Sequence, residues 1–187
     1  MQQAYTFSTF NDYTAEGVAT TLKNLNPKNK LPVFICIGSD LVLGDSLGPL
    51  IGTKLKEDKI STYLYGTLSF PVTAKEVECA SNYLKLLHPD SIIISIDAAV
   101  GNSDDVGLIK VSNKGIKPGL GVKKNLNVVG DASIIGIVAE RSDKNYNLFN
   151  MTRLNLVYKM AEQITNGIKL YLEQYFSDNT IENLNTN

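Results

Sequence analysis

Residues 33–49, VFICIGSDLVLGDSLGP, restrict the fold more than any other part of the chain. The stretch opens on five apolar residues without alternation, the pattern of a strand buried on both faces. The run breaks at Gly38, Ser39 and Asp40, reaches Gly44-Asp45-Ser46, and passes into a helical apolar pattern from Leu47. A strand feeding a loop and then a helix is the first part of a βαβ unit. In open α/β sheets, ligands gather at the loops that leave the carboxyl ends of such strands.

A second unalternating run, SIIISI at 91–96, predicts another buried strand, ending at Asp97. Around these two strands the pattern alternates. Val18, Leu22 and Leu25 predict a helix over 12–25, packed outside the sheet. Leu47, Leu50, Ile51 and Leu55 predict one over 47–57, where Pro49 falls in the first turn and removes no intrahelical bond. Residues 62–65 read as a short strand and 73–87 as a helix closed by His88-Pro89. Residues 106–111 read as a strand returning beside SIIISI, and 134–138 as a further strand. Four glycine and proline positions (Gly115, Pro118, Gly119, Gly121) make 112–124 a shaped loop, and 140–147 reads as a polar surface loop. Leu154, Val157, Ala161, Ile164, Ile168, Tyr171 and Tyr175 define a long amphipathic helix. The expected fold is a three-layer α/β/α sandwich with a mostly parallel sheet, one domain over 1–176, followed by a polar, frayed tail over 177–187.

With 187 residues, 43% of them hydrophobic, the chain is long enough for one well-buried core. Its 18 basic and 19 acidic residues leave a net charge of -1, which supplies no overall field for collecting nucleic acid or anionic membrane. Apolar runs fall short of the ~20 residues that span a bilayer, and the amino terminus lacks the pattern of a secretory signal. Cys36 and Cys79 are not spaced as a metal pair, which fits a reduced, cytoplasmic setting. No membrane or nucleic-acid partner is expected, and no cofactor.

Asp45 and Asp97 stand out by position, because parallel neighbouring strands would bring both to one edge of the sheet. Asp45 opens a helix, where amide dipoles favour the anion. A nearby second carboxyl then tends to keep its proton, and a base and an acid sharing one water can hydrolyse an amide. The bland alternative makes Asp45 a helix cap, helped by Ser46, and leaves Asp97 bonding loop amides. Other chemistries fit less well. A phosphate loop would need Lys where Asp45 stands, and the glycines miss the dinucleotide spacing. Histidine-dependent nucleophilic catalysis would rest on His88, at a helix end beside proline. Asp131 precedes its strand and is expected at the opposite edge, whereas Asp40 lies at the same edge as Asp45. The basic, glycine-rich stretch 113–125, NKGIKPGLGVKKN, could hold an extended peptide through main-chain bonds or be a plain surface turn.

Three blocks, CIGSDLVLGDSLGPLIGTKL, SIDAAVGNSDDVGLIKV and NKGIKPGLGVKKN, resemble the YyaC-type sporulation proteins and, more distantly, the germination protease of spore-forming bacteria. YGTL and VGDASIIGIV fall between or after these blocks in matching order. The resemblance implies the phosphorylase/hydrolase-like fold shared with the hydrogenase maturation endopeptidases. It implies Asp45 and Asp97 as the catalytic aspartates of an endopeptidase active in sporulation or spore germination. Gly38, Ser39, Asp40 and Thr67 would line the substrate pocket, with Gly119 and Gly121 near the peptide. Small acid-soluble spore proteins become the candidate substrate and the forespore or spore interior the compartment; homo-oligomerisation stays open. The histidine of the nickel-sensing site in hydrogenase maturation endopeptidases has no counterpart here. The competing expectations are a non-catalytic sporulation factor or peptide-binding module on the same fold, and a metal-dependent hydrolase using a third carboxylate from Asp40 or Asp131.

Overall fold

The structure is a computed structural model and describes residues 3–117, 127–141 and 151–176. Strand β2 (Pro32–Cys36) is buried at all five positions, as its unbroken apolar run requires. It lies between two parallel neighbours, β3 (Tyr63–Tyr65) on one side and β4 (Ile92–Gly101) on the other. Beyond β4 follow β6 (Ala132–Glu140), also parallel, then β5 (Leu108–Ser112) and β1 (Ala4–Ser8), so the sheet order is β1-β5-β6-β4-β2-β3. β5 runs antiparallel to both of its neighbours, and the sheet is mixed.

Helices α1 (Thr14–Leu25), α2 (Leu47–Glu57) and α4 (Leu154–Phe176) pack on one face, around Phe34, Ile94, Ile96 and Ile134. Helix α3 (Val77–Leu87) packs on the other face through Val77 and Leu84, against Val33, Ile35 and Ile93. Consecutive residues of β2 and β4 thus serve opposite layers, which is why neither strand alternates. Each such fully buried side chain contributes about 1.5–3 kcal/mol relative to exposure. In α4 the positions Val157, Ala161, Ile164, Ile168 and Tyr171 of the expected stripe are buried, whereas Leu154 and Tyr175 at its two ends are exposed. The Tyr171 hydroxyl accepts from Asn26 Nδ2 at 2.8 Å, pinning the turn that follows α1. No helix among the described residues is long and apolar enough to cross a membrane.

The layered fold matches the sequence expectation, and four local readings need correction. The strand expected to return beside β4 instead lies between β1 and β6. β4 does not stop at Asp97 but runs on to Gly101, because β6 keeps pairing with it through Gly101↔Glu140. β1 escaped notice because it is a short edge strand whose half-buried residues are only Tyr5 and Phe7. α3 begins at Val77, not residue 73: Thr73–Glu76 form a preceding turn in which the Thr73 N–H donates to Glu76 Oε2 at 3.2 Å. The tail 177–187 and most of the loop over 140–147 lie outside the described residues.

Cys36 is fully buried in β2 and burial pushes its thiol up, whereas Cys79 is exposed on α3. A thiol-reactive dye is expected to titrate one cysteine in the native protein and both after unfolding in guanidinium. Rapid labelling of Cys36 in the native state would contradict a central β2.

Candidate active site

The chain leaves β2 through α2 to β3 on one side, returns through α3 to β4 on the other, and continues from there toward β6. The strand order therefore reverses between the carboxyl ends of β2 and β4. That is where open α/β sheets form their ligand crevice. β2 stops at the Cys36↔Ile96 pair, and Ile37 N–H still donates to Ile96 O at 2.7 Å. Asp97, one residue further along β4, thus sits at the point where β2 departs, paired to β6 on its other side.

Asp45 reaches the same place by main-chain contacts. It lies in a 3-10 turn, Leu43–Ser46, that runs into α2 and packs against β4. Ser39 N–H donates to Asp45 O at 3.1 Å, Asp45 N–H to Val42 O at 3.0 Å, and the Ser46 hydroxyl to Leu43 O at 2.7 Å. Gly38 has φ +140°, and a Cβ there would stand 2.0 Å from Asp45 O, so only glycine lets the strand end touch the Asp45 backbone. Gly48 repeats the device one helical turn on, with its missing Cβ 2.1 Å from Ile37 O. Sequence reasoning passed over Gly48. The signal was present, since Gly44, Gly48 and Gly52 recur every four residues from the 3-10 turn into the first turns of α2.

The two carboxyls have unequal surroundings. Burial raises Asp45 above the usual carboxylate range, and the Ser39 backbone N–H draws it part of the way back. Asp97 retains some solvent-exposed surface, yet protein atoms enclose its carboxyl and burial pushes it well above that range. The Ala98 N–H, donating to Oδ1 at 2.8 Å, offsets part of this, and the charge on Asp45 raises Asp97 again. Of the two carboxyls, Asp97 is pushed further above the usual range, so it binds a proton more tightly than Asp45 does.

The other residues singled out in the sequence fall as follows. Ser39 is half-buried, with its hydroxyl accepting from Leu41 N–H at 3.2 Å, and Asp40 beside it is exposed. Thr67 is buried in the turn after β3, where its Oγ1 accepts from Phe70 N–H at 3.2 Å. Asp131 is at the opposite edge of the sheet, its Oδ2 accepting from Ile93 N–H at 2.9 Å, and does not join the pair. His88 also lies at that edge, with Nε2 2.9 Å from the Tyr65 hydroxyl. Gly119 and Gly121 lie outside the described residues. Among the described residues, no group of three or more His, Cys, Asp or Glu side chains converges to hold a metal ion.

The fold has a solved counterpart. The structure superposes on the [NiFe] hydrogenase maturation protease HycI of Thermococcus kodakarensis KOD1 with a TM-score of 0.54, covering 81% of this chain and 98% of that one, at 16% sequence identity. A likeness at that identity establishes the fold. The chain belongs to the family described as "Protein of unknown function (DUF1256)", whose profile matches residues 7–167. Among curated proteins it is 42% identical over 139 residues to YyaC of Bacillus subtilis strain 168, described as uncharacterized, with 74% of this chain and 68% of YyaC covered.

Proposed function

We propose that this protein is an aspartate-dependent endopeptidase, acting on a protein substrate during sporulation or spore germination. The observation that carries the reading is the unequal carboxyl pair at the crevice, one acid fixed by main-chain contacts and the other enclosed and inclined to stay neutral. The ionised Asp45 takes a proton from a water molecule as its oxygen attacks the substrate carbonyl carbon. The protonated Asp97 gives its proton to the leaving nitrogen as the C–N bond breaks, and the proton held by Asp45 returns the pair to its starting state through solvent. The spore setting and the choice of small acid-soluble spore proteins as substrate rest on the resemblance of the GDSLGP and SIDAA blocks to the germination protease.

Incubating the purified protein with small acid-soluble spore proteins is expected to yield discrete fragments, separated by gel and mapped by mass spectrometry. The same preparation carrying Asp45→Asn is expected to leave the substrate intact. Intact substrate with the unaltered protein at every pH from about 4, near the ordinary aspartate value, to about 8 would defeat the choice of substrate. Cleavage that persists in the Asp45→Asn preparation would defeat the mechanism.

A further inference from the structure

Two loops meet at the lip of this crevice, and each carries large apolar side chains into solvent. Leu41 is 88% exposed, Phe70 75% and Leu68 36%. An isolated exposed apolar residue is ordinary on any surface. These three differ in that main-chain contacts fix the backbone beneath them. The Leu41 N–H donates to the Ser39 hydroxyl at 3.2 Å, two residues before it on the loop that leads to Asp45. Thr67 and Phe70 exchange both main-chain hydrogen bonds, at 3.1 and 3.2 Å, in a closed turn. The Leu68 N–H donates to Thr53 Oγ1 on α2 at 2.9 Å, tying that turn to the helix that Asp45 precedes.

The turn is also joined to the end of β2. Gly38 N–H donates to Val72 O at 3.0 Å, and Ile37 bridges Val72 in parallel register. The segment carrying Leu41 and the turn carrying Leu68 and Phe70 therefore flank one strand end, the one from which Asp45 is positioned and beside which Asp97 stands. These side chains stand out into solvent, so they form an apolar lip beside the polar pair and not an enclosed cavity. Exposed apolar area of this kind next to a candidate site is what a bound chain would cover.

We propose that Leu41 and Phe70, with Leu68 beside them, bind a large apolar side chain of an extended polypeptide, next to the amide bond presented to Asp45 and Asp97. The inference rests on the endopeptidase reading and adds the class of sequence that the site selects. A binding arm separates the two. The Asp45→Asn protein, in which turnover is stopped and the loops are unchanged, is immobilised and panned against a fully randomised decapeptide library. Bound peptides are expected to be enriched for Leu, Ile, Phe or Met at one position by about tenfold, the discrimination apolar contacts supply. Adding Leu41→Ser and Phe70→Ser is expected to abolish the enrichment with the melting temperature unchanged, since both side chains face solvent.

In the second arm, the protein with Asp45 intact is given a proteome-derived peptide mixture, and cleavage sites are mapped with and without the two serine substitutions. Enrichment in the first arm without cleavage in the second would keep the apolar lip and remove the endopeptidase reading. Cleavage without apolar preference, or a preference that survives both substitutions, would overturn the inference and leave hydrolysis standing. Absence of enrichment in the binding arm would overturn it too. So would self-association in sedimentation that the serine substitutions dissolve, because those side chains would then belong to an interface with a second copy.

Discussion

Replacing Asp45 with Asn is expected to lower peptide hydrolysis by about three orders of magnitude, the middle to upper range for losing a positioned proton-transfer group. Asp97→Asn is expected to lower it by a similar factor, and the double substitution by little more, because the two act as one unit. The pH profile distinguishes their roles. Both carboxyls are raised above the usual range, Asp97 much further, so activity should climb as Asp45 ionises and fall as Asp97 loses its proton. The maximum therefore lies between two apparent values that belong to the pair. Stability should show no such maximum and should fall as pH rises through the range in which Asp97 titrates. Asp97 has a higher pKa folded than unfolded, so the folded state binds the proton more tightly. Its contribution to stability is complete below the unfolded value of about 4 and is lost as pH rises through the folded one. Asn in its place carries no such penalty, and Asp97→Asn should melt higher than the parent at pH 7, the gap closing toward pH 3–4, roughly where the unfolded carboxyl protonates. A parent protein that is the more stable of the two at pH 7 would mean that Asp97 is ionised in the fold.

The second large effect is on stability alone. Gly48→Ala would gain about 1 kcal/mol of helix propensity in an open helix. Here the added Cβ would stand 2.1 Å from Ile37 O and 2.9 Å from Ile37 N, and both are backbone atoms of the residue that directly follows β2. Neither can swing aside as a side chain does. The clash wins over the propensity, and the expected loss is about 3–5 kcal/mol, in the range of severe core lesions. Thermal unfolding should shift down by roughly 10 °C for a chain of this size. An unchanged or raised melting temperature would mean that α2 does not pack on β2 at backbone contact.

Much of this was legible in the chain because burial leaves a plain signature. The unbroken runs VFICI and SIIISI could only be central strands, and the Leu47, Ile51 and Leu55 spacing set α2 at the bounds found in the structure. Asp45 and Asp97 could be singled out as a candidate pair because each comes after an unbroken apolar run. Pairing order was harder. The 108–112 segment looks alike whether it lies beside β4 or β6, and only the tertiary arrangement places it antiparallel between β6 and β1. The end of β4 was misjudged because a charged residue in an apolar strand reads as a terminus, whereas continued pairing with β6 carries the strand past Asp97. The proximity of Gly38 to Asp45, and the apolar lip at Leu41 and Phe70, arise from backbone contacts between segments distant in sequence, which no local pattern encodes.

The glycine contacts beneath α2 also bear on how such a scaffold can change over generations. Asp45 is placed by its own main chain touching Gly38 and Ser39, contacts that use no side-chain atom of residue 45. A substitution at 45 can therefore remove or replace the carboxyl while keeping the main-chain contacts that present it. Chemistry and architecture are mutationally separable here, and a lineage could exchange one reaction for another, or for simple recognition, without passing through an unfolded ancestor.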